Sequence, residues 1–499
     1  MKLLKKIYIA VLGVGLLSMV ACDDITKELD DFDPLYSVPA ETAIVDEASA
    51  ELALTGVYAT FRQANYGPEI HLFPDVLSGY GQNSFYNSTR PENMGWANNE
   101  PISVGASSQL GAYSKMYELV SRANWLLQNL NKLGEEDFDN PARKTEMEGE
   151  AYTLRAMGHF YLLRLFGQFY DSDSKYGVNL RTEPATNSEA FPRHTVSETY
   201  DLIIEDLDKG IAQAPELRAK WYVNKTFAKA LKAKVYLYKG DYANASVVAK
   251  DVIDNSGADF DLAANYADQF QPHTSDALFQ NPEIIFGSRG ESNAGLGIGN
   301  FYSGFSIAIS QKYVDAVADS LLIGTQKIAV DGGRTASVLN VNTSYGGYWT
   351  SKYTSYFSEG TYEMIYHMRM AEVYTILAEA SARSANSVTT EALDALNTLR
   401  AQRGATNTGV DGFEIYPVSI SFDEFLTAIR MEKLVELQAE GGESWFDLVR
   451  FDHADGFGTG FQVSDVKASA TNSDKFILPI PFESIQAGGF IVEQNPSYE

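Results

Sequence analysis

Cysteine is nearly absent: Cys22 is the one thiol in 499 residues. A chain with a single cysteine makes no internal disulfide, so packing and polar contacts must hold the fold. Histidine is scarce as well. The six histidines, at positions 71, 159, 194, 273, 367 and 453, are scattered, and no His-Glu-x-x-His or other close ligand pair occurs. There is no Gly-x-Ser-x-Gly elbow and no Walker loop. Gly295-Leu296-Gly297-Ile298-Gly299 lacks the following lysine and helix, and reads as a loop. Bases are outnumbered, 39 Lys and Arg against 66 Asp and Glu, for a formal charge of −27. Such a charge repels phosphate backbones and excludes nucleic acid as a partner. No Pro/Ser/Gly-rich linker divides the chain, so residues 46–499 read as a single domain. Its 45% hydrophobic content is ample for a core.

Long apolar runs are missing except at the start. Lys2, Lys5 and Lys6 precede an uncharged, mostly apolar run from Ile7 to Ala21. It is short for a spanning helix, which needs roughly 20 apolar residues. A basic head, an apolar core and a small-residue exit describe a secretory signal peptide over 1–21. Its end, Met19-Val20-Ala21-Cys22, resembles the lipobox of bacterial lipoproteins, with a less usual methionine in first place. Cys22 is then expected to carry the lipid, since several acyl chains on one residue make a stable anchor. A free thiol after ordinary cleavage is the alternative. Losing three lysines and no acids would take the charge from −27 to −30. Residues 22–45, with Asp23, Asp24, Glu28, Asp30, Asp31 and Asp33, read as a solvated acidic tether.

Beyond residue 45 the chain is rich in helical periodicity. Ala50, Leu54, Val57, Phe61 and Ala64 share one face, with Asp46 as the cap. Tyr113, Tyr117, Val120, Ala123, Leu127 and Leu130 repeat the pattern, as do Leu154, Met157, Tyr161 and Leu165. Thr195 and Glu198 form a capping box ahead of Val196, Tyr200, Ile203, Leu207 and Ile211. Further helices are expected at about 225–239, 241–254, 369–385, 389–403 and 423–440. Ala233, Tyr236, Gly240 and Ala245 have tetratricopeptide spacing, in which small residues let two helices approach and Gly240-Asp241 turns the chain. The segment 371–403, with Ala378, Ala392 and Ala395, is a degenerate copy. Any alanine-rich antiparallel helix pair would look the same. The expected fold is mainly α, an α-α superhelix of such pairs carrying long irregular loop insertions at about 66–108 and 287–362. Those two stretches are rich in Gly, Ser, Asn and Tyr, and loops of such length are usually functional.

One insertion has the chemistry of sugar recognition. A sugar ring offers an apolar C–H face to an aromatic ring and hydroxyls to amides and charged groups. Arg90, Asn93, Trp96, Asn98 and Asn99 supply both within ten residues, with Tyr80, Phe85 and Tyr86 just upstream. The bland reading is that these aromatics pin the loops to the helices. Asp171-Ser172-Asp173 begins like a calcium loop, but Lys175 and Tyr176 stand where an oxygen ligand and a glycine are needed. No metal or other cofactor is expected.

An ordered set of motifs resembles the SusD/RagB family of surface nutrient-binding lipoproteins over nearly the whole mature chain. They are Arg122-Ala123-Asn124-Trp125, Gly149 to Arg155, Phe160 to Gly167, Lys232 to Tyr238, Ala378-Glu379-Ala380, Leu396 to Arg400, Glu436 to Arg450, Leu478 to Pro481, and Asn495-Pro496. Ser444 departs from the family's usual arginine before the tryptophan, and Met431-Glu432-Lys433 from its usual Glu-Arg; both imply altered ion pairing. The blocks themselves have a structural explanation, with Arg430, Glu440, Asp447 and Arg450 in an interhelical charge network and Gly441 as a helix C-cap. The resemblance implies a ligand surface built from the early loop and the later insertion, which adds Tyr345, Tyr348, Trp349, Tyr353 and Tyr356. It also implies a non-enzymatic binding lipoprotein on the extracellular face of the outer membrane, anchored by lipid alone. Such a protein would hand a glycan to a TonB-dependent, SusC-like transporter. Peptide cargo, and a helical-repeat scaffold without a small ligand, are the alternatives; a glycan hydrolase is disfavoured, since a carboxylate pair could be picked from the 66 acids by chance alone.

Overall fold

A computed structural model describes residues 43–498, apart from 63–66, 84–88, 186–189, 271–278, 292–297, 303–305, 345 and 354–361. The expected signal peptide, tether and lipid-bearing Cys22, and also Phe85, Tyr86, Tyr345 and Tyr356, lie outside the described residues.

The frame is helical, and its helices begin where local chemistry says they should. Asp46 caps α1 (Glu47–Phe61) in a reciprocal box with Ser49. Next come α2 (Gly67–Ser78), β1 (Gly81–Asn83), α3 (Pro91–Ala97) and α4 (Ser107–Leu130). Asn140 and Pro141 start α5 (Pro141–Phe166), and the Thr195–Glu198 box starts α6 (Val196–Gln213). Asn224 caps α7 (Lys225–Lys239), Gly240 leaves it in the left-handed conformation (φ 81°), and Asp241 caps α8 (Tyr242–Asn255). After a long insertion the frame resumes with α12 (Met370–Ala385), α13 (Thr390–Gln402), α14 (Phe422–Glu436) and α15 (Glu443–Ala454).

These helices stack in sequence: α4 on α5, α5 on α6, α6 on α7, α7 on α8, α8 on α12, and α12 on α13. The insertion between α8 and α12 therefore leaves the array unbroken. Small residues set the approach, as the expected helix-pair repeat requires. Ala233, Ala245, Ala378, Ala392 and Ala395 are buried. At Gly149 a β-carbon would stand 2.1 Å from the Ala214 nitrogen, so α5 and the end of α6 meet backbone to backbone.

The insertions are less irregular than their composition suggests. Residues 66–108 hold α2 and α3. The segment 287–362 holds β3 (Ile307–Ile309), α10 (Gln311–Ala318), β6 (Leu339–Val341) and β7 (Tyr348–Thr350), with α9 (Ile298–Tyr302), α11 (Arg334–Val338) and the hairpin of β4 (Ser320–Ile323) and β5 (Gln326–Ala329) around them. A second antiparallel pair, β2 (Ile284–Glu291) with β8 (Tyr362–Arg369), leads the chain back into α12. The short α16 (Val463–Val466) and α17 (Phe482–Ala487) complete the chain.

The charged motif residues form the interior of this frame. Arg155 grips Asp206 with two hydrogen bonds, 2.5 and 2.7 Å. Arg164 pairs with Glu443 at 2.8 Å, and Arg450 reaches Glu379 at 2.9 Å and Asp447 at 2.5 Å. Lys433 pairs with Asp447 at 2.7 Å. Glu440 joins through Lys352 and Arg369.

Two expectations need correction here. Arg430 is not in the network: no carboxylate among the described residues lies within 4 Å of it, and its guanidinium sits over Phe461 at 4.1 Å. Gly441 is not a C-cap either. Helix α14 stops at Glu436, five residues before it, because side chains take the end-of-helix carbonyls. Arg369 and Lys352 donate to the Glu436 carbonyl and Tyr353 to that of Ala439.

Candidate functional site

The early and late insertions meet in one antiparallel sheet of order β1-β3-β7-β6. Gln82 pairs with Ala308, Ile309 with Tyr348, and Asn340 with Trp349. Side chains alternate along a strand, so Ala308 and Trp349, the next residues along from Ile309 and Tyr348, share a face. Gln82, Ala308, Trp349 and Asn340 thus form a row across all four strands, about 14 Å at the usual strand spacing. Gly347 confirms the geometry: a β-carbon there would lie 2.9 Å from the Gln82 amide nitrogen and 3.0 Å from the Ala308 methyl. Gln82 and Asn340 are exposed and Trp349 is half-buried, while Ala308 between Gln82 and Trp349 is fully buried. Glycine at 346 and 347, both at positive φ, turns the chain tightly into Tyr348. Tyr348 points its hydroxyl to the Gln311 side-chain oxygen, 2.8 Å away.

The sequence-predicted residues divide between this surface and the interior. Tyr348, Trp349, Asn98 and Arg90 are exposed or half-exposed. Trp96 is not the expected surface platform. It is 5% exposed and packs on Phe73 with ring centroids 4.5 Å apart, because Arg90–Asn99 is not a loop but α3 and its cap. Asn93 is buried and its carbonyl accepts from the Asn83 amide at 2.7 Å. Asn99 is buried at φ 56°, donating to the Leu77 carbonyl and accepting from Ser469. Tyr80 is buried edge-on to Tyr313, and Tyr353 is buried on Tyr302 with its hydroxyl on the Ala439 carbonyl. These five anchor the insertions to the frame. Gln82, Ala308, Gln311 and Asn340 escaped the sequence reading; only the period-two alternation around them could have signalled them.

Beneath the sheet lies an unusual carboxylate. Asp75, on α2, is buried and accepts from the Tyr302 hydroxyl at 2.5 Å and from Ser444. The Ser444 hydroxyl brings no compensating charge. Burial pushes the Asp75 carboxyl up to about 6; the Ser444 and Tyr302 hydrogen bonds and the Lys352 charge pull it back only in part. A raised carboxyl favours folding in its neutral form. Its contribution is complete below pH 3.8, is lost as pH rises to about 6, and is worth roughly 3 kcal/mol. Asp75→Asn, which stays neutral, should therefore raise the urea midpoint at pH 8 and leave it nearly unchanged at pH 3.5. An equal effect at both pH values would refute the ionisation.

Clefts elsewhere, of about 720 and 300 Å³, line the 180–193 segment with Arg181, Glu183 and Ala185. None of the sequence-predicted residues reaches them. Among the described residues no group of three His, Cys, Asp or Glu side chains is placed to hold a metal ion.

Comparison with known proteins agrees with this architecture. A SusD-like family described as starch-binding and associating with the outer membrane matches residues 42–237, and the SusD family matches 324–498. The SusD-like protein P2 of Formosa agariphila is 24% identical over 97% of this chain and 98% of its own. The SusD-like protein P38 of the same organism is 23% identical, but the match spans 54% of this chain and half of that protein. A laminarin-binding SusD-like protein of known structure superposes with a TM-score of 0.66 at 22% identity, over 91% of this chain and all of that one.

Proposed function

Since the chain belongs to the SusD/RagB family, whose members bind glycans at the cell surface without catalysis, we propose that it captures a glycan on the four-stranded sheet and passes it to a TonB-dependent, SusC-like transporter. The observation that carries this is the row Gln82, Ala308, Trp349, Asn340. It sets a half-buried indole between two exposed amides on one face of the sheet, across a buried alanine. The indole packs on the apolar sugar face, and the amides bond the hydroxyls. A row of about 14 Å suits a short oligosaccharide rather than one sugar. In this reading Cys22 holds the protein to the outer membrane by its lipid, and the helical array opposite the sheet faces the transporter. The outer-membrane association in the family description and the laminarin bound by one structural relative both support it.

The test is native affinity electrophoresis of the mature chain through gels containing defined polysaccharides, with chromatography of the glycan afterwards. Retardation by at least one glycan, with no shortened product, is expected. A product would mean an enzyme. No retardation by any glycan, with capture of peptides instead, would favour the peptide-binding alternative.

A further inference from the structure

Among the described residues nearly all buried cations pair with carboxylates, whereas the half-buried Lys312, Lys467 and Arg430 have no carboxylate within 4 Å. At Gly79 an added β-carbon would lie 3.4 Å from the Lys467 ammonium and 3.5 Å from that of Lys312. Two ammonium groups thus converge on one half-buried glycine, over which the Lys467 stem also packs, its Cδ 3.0 Å from where a β-carbon would stand. Neither has a carboxylate within 4 Å among the described residues. Lys312 donates to the Val466 carbonyl and stands 5.7 Å from the Tyr80 ring centre. Arg430, unpaired over Phe461, lines the same small cleft as Tyr80. Acids on the adjoining elements are engaged elsewhere: Asp75 accepts from Tyr302 and Ser444, Asp315 from Gln311, and Asp465 from the Gln462 backbone.

Holding two like charges together costs stability. Burial and the charge of Lys467 lower the Lys312 ammonium, and burial lowers that of Lys467. With a net charge of −27 the chain has acids to spare for neutralising such a pair, yet among the described residues none lies within 4 Å of either lysine. Charges left unpaired in this way are what an anionic ligand requires, since it supplies the missing carboxylate or sulfate on binding. The location ties the pair to the sheet. Strand β3, which carries Ala308, leads directly into Ser310, whose hydroxyl donates to the Gly79 carbonyl, and then into α10, where Gln311 accepts from Tyr348 and Lys312 follows.

We propose that Lys312 and Lys467, converging at Gly79, form a subsite for an anionic group of the glycan, a sulfate ester or a uronate carboxylate. This rests on the reading of the sheet as the glycan surface and adds the class of glycan. The ammonium groups clamp the anion while the neighbouring row holds the sugar rings.

The experiment compares the full mature chain with Lys312→Gln/Lys467→Gln on two pairs of polymers. Carrageenan is set against its desulfated form, and polygalacturonate against its methyl ester. The expected result is at least about a tenfold preference for one charged form over its neutral partner, weakened by salt and abolished in the double variant. Which pair shows the preference tells sulfate from carboxylate. If the double variant fails to fold, reductive methylation of the native chain replaces it, with Lys312 and Lys467 protected by the preferred polymer and the exposed Lys250 not. Equal affinity for charged and neutral forms, lost in Trp349→Ala, overturns the subsite and leaves the sheet reading standing. No affinity for any of the four polymers, with no protection of either lysine, overturns the subsite. The sheet reading falls only if the wider glycan panel is silent as well.

Discussion

Glu436→Gln should lower the stability of the folded chain by about 3–5 kcal/mol, the usual cost of breaking a buried ion pair from one side. Glu436 is fully buried and faces three guanidiniums: Arg334 and Arg369 each at 3.0 Å, and Arg403 at 2.9 Å. Burial alone would raise its carboxyl. The charges of Arg403, Arg369 and Arg334 outweigh burial and hold it well below the usual carboxylate range. Around it Glu283, Glu432 and Glu440 complete a cluster with Lys352 and Arg400, so five cations already face four carboxylates. A glutamine of the same shape leaves five cations on three. The measurement is the urea midpoint, with circular dichroism showing whether the fold survives. A change below about 1 kcal/mol would mean that water screens the cluster.

A second buried cluster bears on the acid limit of the fold. Glu379, buried against Arg450, Arg383 and Lys433, is held down at about 2 despite the opposing effect of burial. A depressed carboxyl stabilises the folded state above its unfolded value, near 4.5, and that stabilisation is lost as pH falls toward 2. The cluster therefore loosens below about pH 4.5, whereas the Asp75 contribution changes in the opposite direction.

Trp349→Ala is the second large effect, and it falls on binding instead of stability. The indole is half-exposed on a strand of three residues. Its removal should leave the urea midpoint within about 0.5 kcal/mol of the parent, as for most surface changes. Loss of the stacking face should weaken glycan binding by about thirtyfold, or about 2 kcal/mol, the scale of an aromatic at the centre of an interface. Gln82→Ala and Asn340→Ala, which remove single hydrogen bonds at the ends of the row, should each cost less, on the order of 1 kcal/mol. An indole that only pinned the loop would show the reverse pattern, with a lower midpoint and intact affinity.

The helical frame was legible because its signals are local. Asp46, Thr195 and Gly240 each act within a few residues of themselves, and each does in the structure what its position implies. The charged motifs were legible as scaffold for a similar reason: arginine and glutamate on apolar faces can be buried only in pairs. The sheet was not legible. Its strands are three residues long, and Gly81, Ile309 and Tyr348 come together across more than two hundred residues of chain. No periodicity spans that distance. Trp96 was misread because its amide-rich surroundings suggested a loop. Pro91 directly after Arg90, followed by Glu92, is a helix start, and Glu92 in fact turns inward to accept from the Ser108 and Gln109 backbone. Arg430 was misread for a subtler reason: its neighbours along α14 are paired, but its own face of the helix looks toward Tyr80 and Phe461, where among the described residues no acid lies within ion-pair distance.

The most direct measurement is calorimetric titration of the mature chain and Trp349→Ala with the glycan that retards the parent protein most strongly. A single-site isotherm that weakens about thirtyfold in the variant, with the urea midpoint unchanged, is the expected result. Equal affinity in the two proteins would contradict it and move the glycan away from the sheet.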